Sequence, residues 1–480
     1  MLSLEVTPSQ EEYLPNQAMR LNVVIRNEGA EAVELADPED SSAEQPAYGF
    51  MGPEYPSGKM TSRAAWTREQ SGSEAPLPEP AKIRIEPGGA WEGAVPVRAL
   101  LPLSTPGDYR VRAMLAFQDK RAVSPEKRLR VVAPRRPVSV HLGQGSRPLE
   151  IGEGEAMFLA KEDAATAVYV SRFSEKHPGI GEMGANAPIR RFAAGPKATD
   201  AGVPWTDAPF FAEMIRWVVW REGRNVEALA NIASAPVSFA LPFEPARLVR
   251  PPLHSAGGGL EVLALAADHK ELAMVQFDDP DVAPKLAWRT TLPAAAVAIT
   301  AIPGAQRYIA FAAKNDGGFD VYLSHFAAGG PPAPFQRVHI PEGAPLGAEP
   351  MAIAVEGGKV EVAVAAIGPD GRNCLLAQTW FDASGKPADP PKVTTFEGLE
   401  HRPVDAAVLL AASEGKIARR EVAVTLEDKT VWRLGGANGA SEIAIPGEAA
   451  HPLELAPGAR VSYVLFFDPA RGLRFEKLPN

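Results

Sequence analysis

Apolar and polar positions along this chain fall into two different patterns, and the change comes near residue 134. Beyond it, apolar hairpins recur in which neither face is polar. In "RYIAFAAKNDGGFDVYLSHFAAGG", Arg307 to Gly330, Tyr308, Ala310 and Ala312 point one way while Ile309, Phe311 and Ala313 point the other. A hairpin on a solvated sheet alternates apolar with polar. The turn is clear, because Asn315-Asp316-Gly317-Gly318 tolerates positive φ. Similar hairpins turn near Asp163, at Glu222-Gly223, at Asp268-His269, at Pro369-Asp370-Gly371, at Glu427-Asp428 and at Pro469 to Gly472. Their spacing of about 40 to 60 residues is that of propeller blades. A blade is a four-stranded antiparallel sheet covered on both faces by its neighbours, so its middle strands are apolar on both sides. The spacing predicts a β-propeller over residues 135–480, with seven blades preferred and six as the alternative count. Small residues in "LALAA", "IAFAA" and "VAVAA" suit blades that converge on an axis. Two successive sandwiches, the structural alternative, would leave more outward positions polar. The last hairpin lies near the end of the sequence, so "PVSVHLG", Pro137 to Gly143, is expected to complete its blade.

Residues 1–134 read differently. "LSLEVTPS", "MRLNVVIRNEG", "AKIRIEPGGAWEGAVPV", "PGDYRVRAMLAF" and "KRLRVVAP" alternate apolar with polar and end at turn signals. With the segments between them they make about seven short strands, the pattern of an Ig-like β-sandwich. The fold class is therefore all-β, with a sandwich followed by a propeller. "APRRPVSV" is a short, stiff, proline-bearing linker between them. Residues 36–80 interrupt the sandwich. They are long and polar for a connection, and such loops are usually functional or disordered. An ordered flap on its own sheet and a partner-binding loop are the two readings.

"STPGDYRVRAML" resembles the penultimate strand of bacterial Ig-like domains. The pairing of "MRLNVVIRNEG" with a later Pro-Gly-Gly turn resembles domains of the intracellular proteinase-inhibitor type. "AFAAKNDGGFDVYLSHF" resembles the repeats of the WD40-like propeller of the bacterial Tol assembly, although the usual leading Pro-Asp-Gly is missing. These resemblances imply folds and carry no activity over. They cover about a quarter of the chain for the sandwich and one repeat for the propeller.

Composition narrows the chemistry. The net charge of −10 argues against a nucleic-acid partner, which usually needs a basic face. The single cysteine, Cys374, excludes an intramolecular disulfide framework and a multi-cysteine zinc site. It sits in the apolar "RNCLLAQTW" and reads as a small buried hydrophobe. No run is long and apolar enough to span a bilayer. "MLSLEVTPSQ" shows no signal peptide, so a cytoplasmic location is expected.

Catalytic motifs are not evident. There is no Asp-box, no G-x-S-x-G elbow, no H-E-x-x-H helix and no EF-hand-like loop. Asp278, Asp279 and Asp281 in "FDDPDV" read as a solvated turn ahead of a weak calcium site. The eight histidines are dispersed. No catalytic residue, metal ligand or cofactor is assigned. Two excursions carry aromatic and arginine side chains of the kind enriched at binding hot spots. One holds Tyr48, Phe50, Tyr55 and Trp66, and the other, Ser174 to Phe211, holds Arg190, Arg191, Trp205 and Phe210. These are the expected partner-binding residues. The expected function is a non-catalytic protein-binding or scaffold module in a bacterial assembly. The alternative is a propeller hydrolase or lyase with its site in the central channel.

Overall fold

The computed structural model describes residues 1–478, apart from 16, 18, 72–75, 98–99, 144–153, 163–164, 174–189, 203–216, 231–234, 251, 255–258, 303–305, 348, 414–415, 436–439, 451–452, 454 and 458–461. The chain divides into two compact units, Met1–Arg135 with Gly181–Arg191, and Arg136–Ile180 with Phe192–Asn480.

The first unit contains strands β1 (Leu2–Pro8), β2 (Glu12–Tyr13), β3 (Arg20–Asn27), β4 (Val33–Ala36), β5 (Ala47–Gly52) and β6 (Tyr55–Thr61). Helix α1 (Arg63–Ser71) follows, then β7 (Lys82–Ile85), β8 (Ala90–Pro96), β9 (Gly107–Phe117), β10 (Lys120–Val123) and β11 (Lys127–Val131). One sheet has the order β1-β3-β8, and a larger one runs β2-β11-β9-β5-β6 with β10 also on β9. Alternation decides which side chains face inward. Leu21, Val23 and Ile25 of β3, Tyr109, Val111 and Ala113 of β9, and Leu129 and Val131 of β11 join a single buried core between the two sheets.

Of the two readings for residues 36–80, the part from Ala47 to Thr61 fits the ordered one, because it extends the larger sheet. β5 pairs with β9 from Ala47↔Met114 to Met51↔Arg110, and β6 adds the edge strand. The period-2 pattern of "AYGFMG" puts Tyr48 and Phe50 inward, both essentially inaccessible. They complete the core and offer nothing to a partner.

Among the described residues, the second unit holds seven antiparallel sheets in sequence order, within 137–194, 198–240, 245–291, 298–340, 344–396, 403–443 and 448–477. Each is a blade of a β-propeller, and the described strands of each come from one continuous piece of chain. Blade four shows why both faces of its hairpin are apolar. Tyr308, Ala310, Ala312, Val321 and Leu323 pack into one core with Val360, Val362 and Val364 of blade five. Ile309, Phe311, Ala313, Tyr322 and Phe326 pack into another with Leu263, Leu265 and Met274 of blade three. Successive residues of a strand thus feed successive inter-blade cores, as the period of two requires. Blade five repeats the division, with Val362 and Val364 towards blade four and Ala363 and Ala365 towards blade six. Cys374 lies in that last core, fully buried, and burial pushes its thiol up to about 12.

The first strands of neighbouring blades pack against one another for blades one and two, two and three, four and five, five and six, and six and seven. Thr300 of blade four donates to the Arg250 carbonyl of blade three at 3.2 Å, and Arg136 pairs with Glu448 of blade seven. The closure expected from Pro137 to Gly143 is not observed, because that strand pairs with Gly154–Glu162 of its own blade. Blade seven has three strand positions among the described residues. Its first strand is split into Glu448–Ala449 and Leu455–Pro457, both against Ser462–Asp468, and Gly472–Lys477 completes it.

Candidate protein-docking face

The outer face of the larger sheet in the first unit is built by the same alternation that fills its core. Where Tyr109, Val111 and Ala113 point in, Arg110 and Arg112 point out, and where Leu129 and Val131 point in, Arg128 and Arg130 point out. The register places Arg128 directly opposite Arg110. On the other side of β9, Met51 lies opposite Arg110 and Gly49 opposite Arg112. Met60 of β6 lies opposite Gly49. A β-carbon at Gly49 would come within 2.6 Å of Met60 Sδ, so the glycine lets the methionine lie across the strand. Val123 of β10 is paired with Met114 of β9.

Met51, Met60 and Val123 are 37%, 49% and 54% exposed. Met1 apart, they are the exposed large hydrophobics of the first unit among the described residues, and they share one face. Arg110 donates to Met51 Sδ and stands 3.5 Å from Glu126. Arg130 is 3.5 Å from Glu12 and 4.0 Å from Asp108. Arg112 and Arg128, both exposed, have no acidic partner within 4.0 Å among the described residues. The edge strand β6 carries Pro56, Gly58 at φ 79° and Lys59, features that discourage pairing with another strand. The face, rather than the edge, is what the sheet offers.

The other expected contact residues are scattered. Tyr55 is half-buried, packs on the core and donates to the Pro102 carbonyl at 3.0 Å. Trp66 is half-buried on α1. Arg190 and Arg191 lie in the strand Arg190–Ala194, with Arg191 half-buried. Trp205 and Phe210 lie outside the described residues. The signal for the observed face was present in "DYRVRAM" and "KRLRVV", where arginines alternate with apolar residues. Their apposition across strands was not.

Buried ionic groups of the propeller tie blades together. Glu261 of blade three meets Arg307 of blade four at 3.1 Å, both side chains nearly inaccessible. Glu361 of blade five accepts from Arg420 of blade six at 2.8 and 2.6 Å and from Gln378 at 2.8 Å. Asp405 of blade six accepts from the Leu453 N–H of blade seven at 3.0 Å, and Gly347 of blade five lies so close that a β-carbon there would meet Asp405 Oδ1 at 2.0 Å. Arg250 of blade three donates to the Val140 carbonyl of blade one at 2.7 Å and stands 3.3 Å from Glu349 of blade five. These three blades are not neighbours, so its guanidinium bridges across the axis. Asp278 is engaged by Gln276 and Lys285, and Asp279 accepts from the Asp281 N–H, a solvated turn. No group of three or more potential metal ligands occurs among the described residues. No helix among them is long and apolar enough to cross a membrane.

No protein-family model matches the chain, and no curated protein matches it. Solved structures with a similar backbone include BBS1N in complex with ARL6DN, with 12% identity and TM-score 0.39 over 72% of this chain and 93% of that one. The arabinofuranosidase arb93a from Fusarium graminearum is 8% identical with TM-score 0.37, over 59% and 93%. The β-propeller domain of the Trilobed protease from Pyrococcus furiosus is 10% identical with TM-score 0.33, over 72% and 97%. Similarities this low carry no argument about activity or partner. The propeller rests on its own sheet topology.

Proposed function

We propose that the protein is a non-catalytic binding module that holds a protein partner, as a component of a larger assembly. The observation that carries this reading is the gathering of Met51, Met60 and Val123 among arginines on one outer sheet face. Methionine and arginine are enriched at protein interfaces, and large apolar side chains exposed on one rigid sheet face mark a surface that a partner can cover. The first unit, with its core between its two larger sheets, is read as an Ig-like sandwich, a frame suited to presenting such a face. Trp66 is retained as a proposed contact. A channel hydrolase would need carboxylates free to converge on a substrate. Glu261, Glu349, Glu361 and Asp405 are instead engaged in ties between blades, which favours a frame.

The test is affinity capture from the native host with wild type, Met60→Asp and Val123→Asp, read by quantitative mass spectrometry. Both sites are exposed, so the variants should melt with wild type. A partner held by wild type should bind each variant roughly thirtyfold more weakly, about 2 kcal/mol. Identical capture by all three proteins would reject the face as the docking site.

A further inference from the structure

The chemistry of this face specifies its occupant, given the docking role just proposed. Arg110 and Arg128 sit directly opposite on paired strands, where like charges repel. Arg112 follows on the same face of β9, two residues along. Arg112 and Arg128 lack acidic partners within 4.0 Å among the described residues, whereas most ionic groups of the second unit's core are engaged. The whole chain carries a net charge of −10, so this cationic strip is a local exception. Arginine forks take carboxylates in bidentate geometry. The strip is short. Asp108 and Glu12 stand at one end beside Arg130, and Glu126 stands beyond Arg128 at the other, 3.5 Å from Arg110, so both ends would repel a long polyanion. Four strands at their usual spacing make the face about 15 Å wide, enough for a few extended residues.

We propose that the outer face of the larger sheet binds a short, acidic, extended segment of a partner protein. Arg110, Arg112 and Arg128 take its carboxylates, and Met51, Met60 and Val123 take its apolar side chains. The methionines suit this task because their unbranched thioethers adapt to different apolar groups. Charge complementarity would set the orientation and the rate of encounter.

The experiment is fluorescence anisotropy on the full chain with a labelled oligo-glutamate peptide bearing one leucine. Oligo-lysine, a single-stranded oligonucleotide and phosphatidylserine vesicles serve as comparison probes. The acidic peptide should bind saturably at low salt, weaken as salt rises, and weaken about tenfold with Arg112→Gln or Arg128→Gln. Arg112→Lys keeps the charge and loses the fork, so it should fall between wild type and Arg112→Gln; it also serves if the glutamine variant does not fold. Absence of peptide binding, or equal binding by wild type and the arginine variants, would overturn the proposal. Tighter binding of the oligonucleotide or the vesicles through the same arginines would overturn it too. If the peptide fails while Met60→Asp and Val123→Asp still release a captured partner, the acidic class falls and the docking reading stands. If both fail, the docking reading falls with it.

Discussion

At the residue scale, burial separates side chains that look alike in the sequence. Tyr48 and Phe50 carry the aromatic character expected of binding residues, yet both fill the core of the first unit. The hydroxyl of Tyr48 is buried with no hydrogen-bond partner among the described residues, and burial pushes the phenol above its ordinary range. An unsatisfied buried hydroxyl costs on the order of 1 to 3 kcal/mol. Tyr48→Phe is therefore expected to raise stability by about 1 kcal/mol in urea unfolding, allowing for partial relaxation in the native protein. A loss of stability would mean that the hydroxyl has a partner after all. At Gly347 the constraint is the backbone. Its φ of 82° and its closeness to Asp405 leave room for glycine and no other residue.

At the element scale, each blade hairpin is a two-sided wedge, and its rare polar residues act between blades. Glu261 and Arg307 show the balance. Burial raises the Glu261 carboxyl above its ordinary range, and the Arg307 guanidinium pulls it back in part. Removing one partner leaves the other charge buried, so Arg307→Met should destabilise by about 3 to 5 kcal/mol. The double variant Glu261→Leu with Arg307→Met should recover most of that loss, since the apolar pair needs no desolvation. Chemical denaturation of the three proteins decides this, and a double variant no better than the single one would refute it. The pH dependence has a definite sign. With the folded carboxyl above its unfolded value, the native state holds the proton longer. Stability therefore falls as pH rises from the ordinary carboxylate range through the raised value. Glu261→Gln should remove that part of the slope.

At the scale of the whole molecule, the first strand of the propeller stays in its own blade and is not lent to blade seven. Arg136 with Glu448, and Arg250 with Val140 and Glu349, supply polar ties around and across the propeller. The first unit has its own core, and we propose that the boundary expected at residue 134 is a true domain boundary. Deleting residues 1–134 should leave a chain that melts cooperatively in calorimetry, and a broad transition without a heat-absorption peak would count against it. Deleting Pro137 to Gly143 as well should lower the melting temperature further. It removes the first strand of blade one, together with the Val140 carbonyl that holds Arg250.

The order of strands in the propeller was legible in the sequence because hairpin turns and two-sided apolar strands are local features. The turns at Glu222-Gly223, Asp268-His269, Asp316 and Pro369 to Gly371 stand where they were expected, each between the second and third strands of its blade. Cys374 was legible for the same reason, sitting in an unbroken apolar run. The pairing of β5 and β6 within residues 36–80 was not, because a sheet edge depends on which distant strand receives it, and β5 joins β9 across a long stretch of chain. Pro137 to Gly143 was misplaced for a related reason, since a lone strand's pattern does not name its neighbour. The arginines alternated visibly, but only the register of β11 on β9 set Arg128 against Arg110. The sequence determined by itself the all-β character, the two patterns of alternation and the positions of the turns, since these follow from side-chain period and local backbone preference. Strand pairing and the meeting of side chains from distant segments were decided by the tertiary structure, because packing and charge act through space between residues that the sequence keeps far apart.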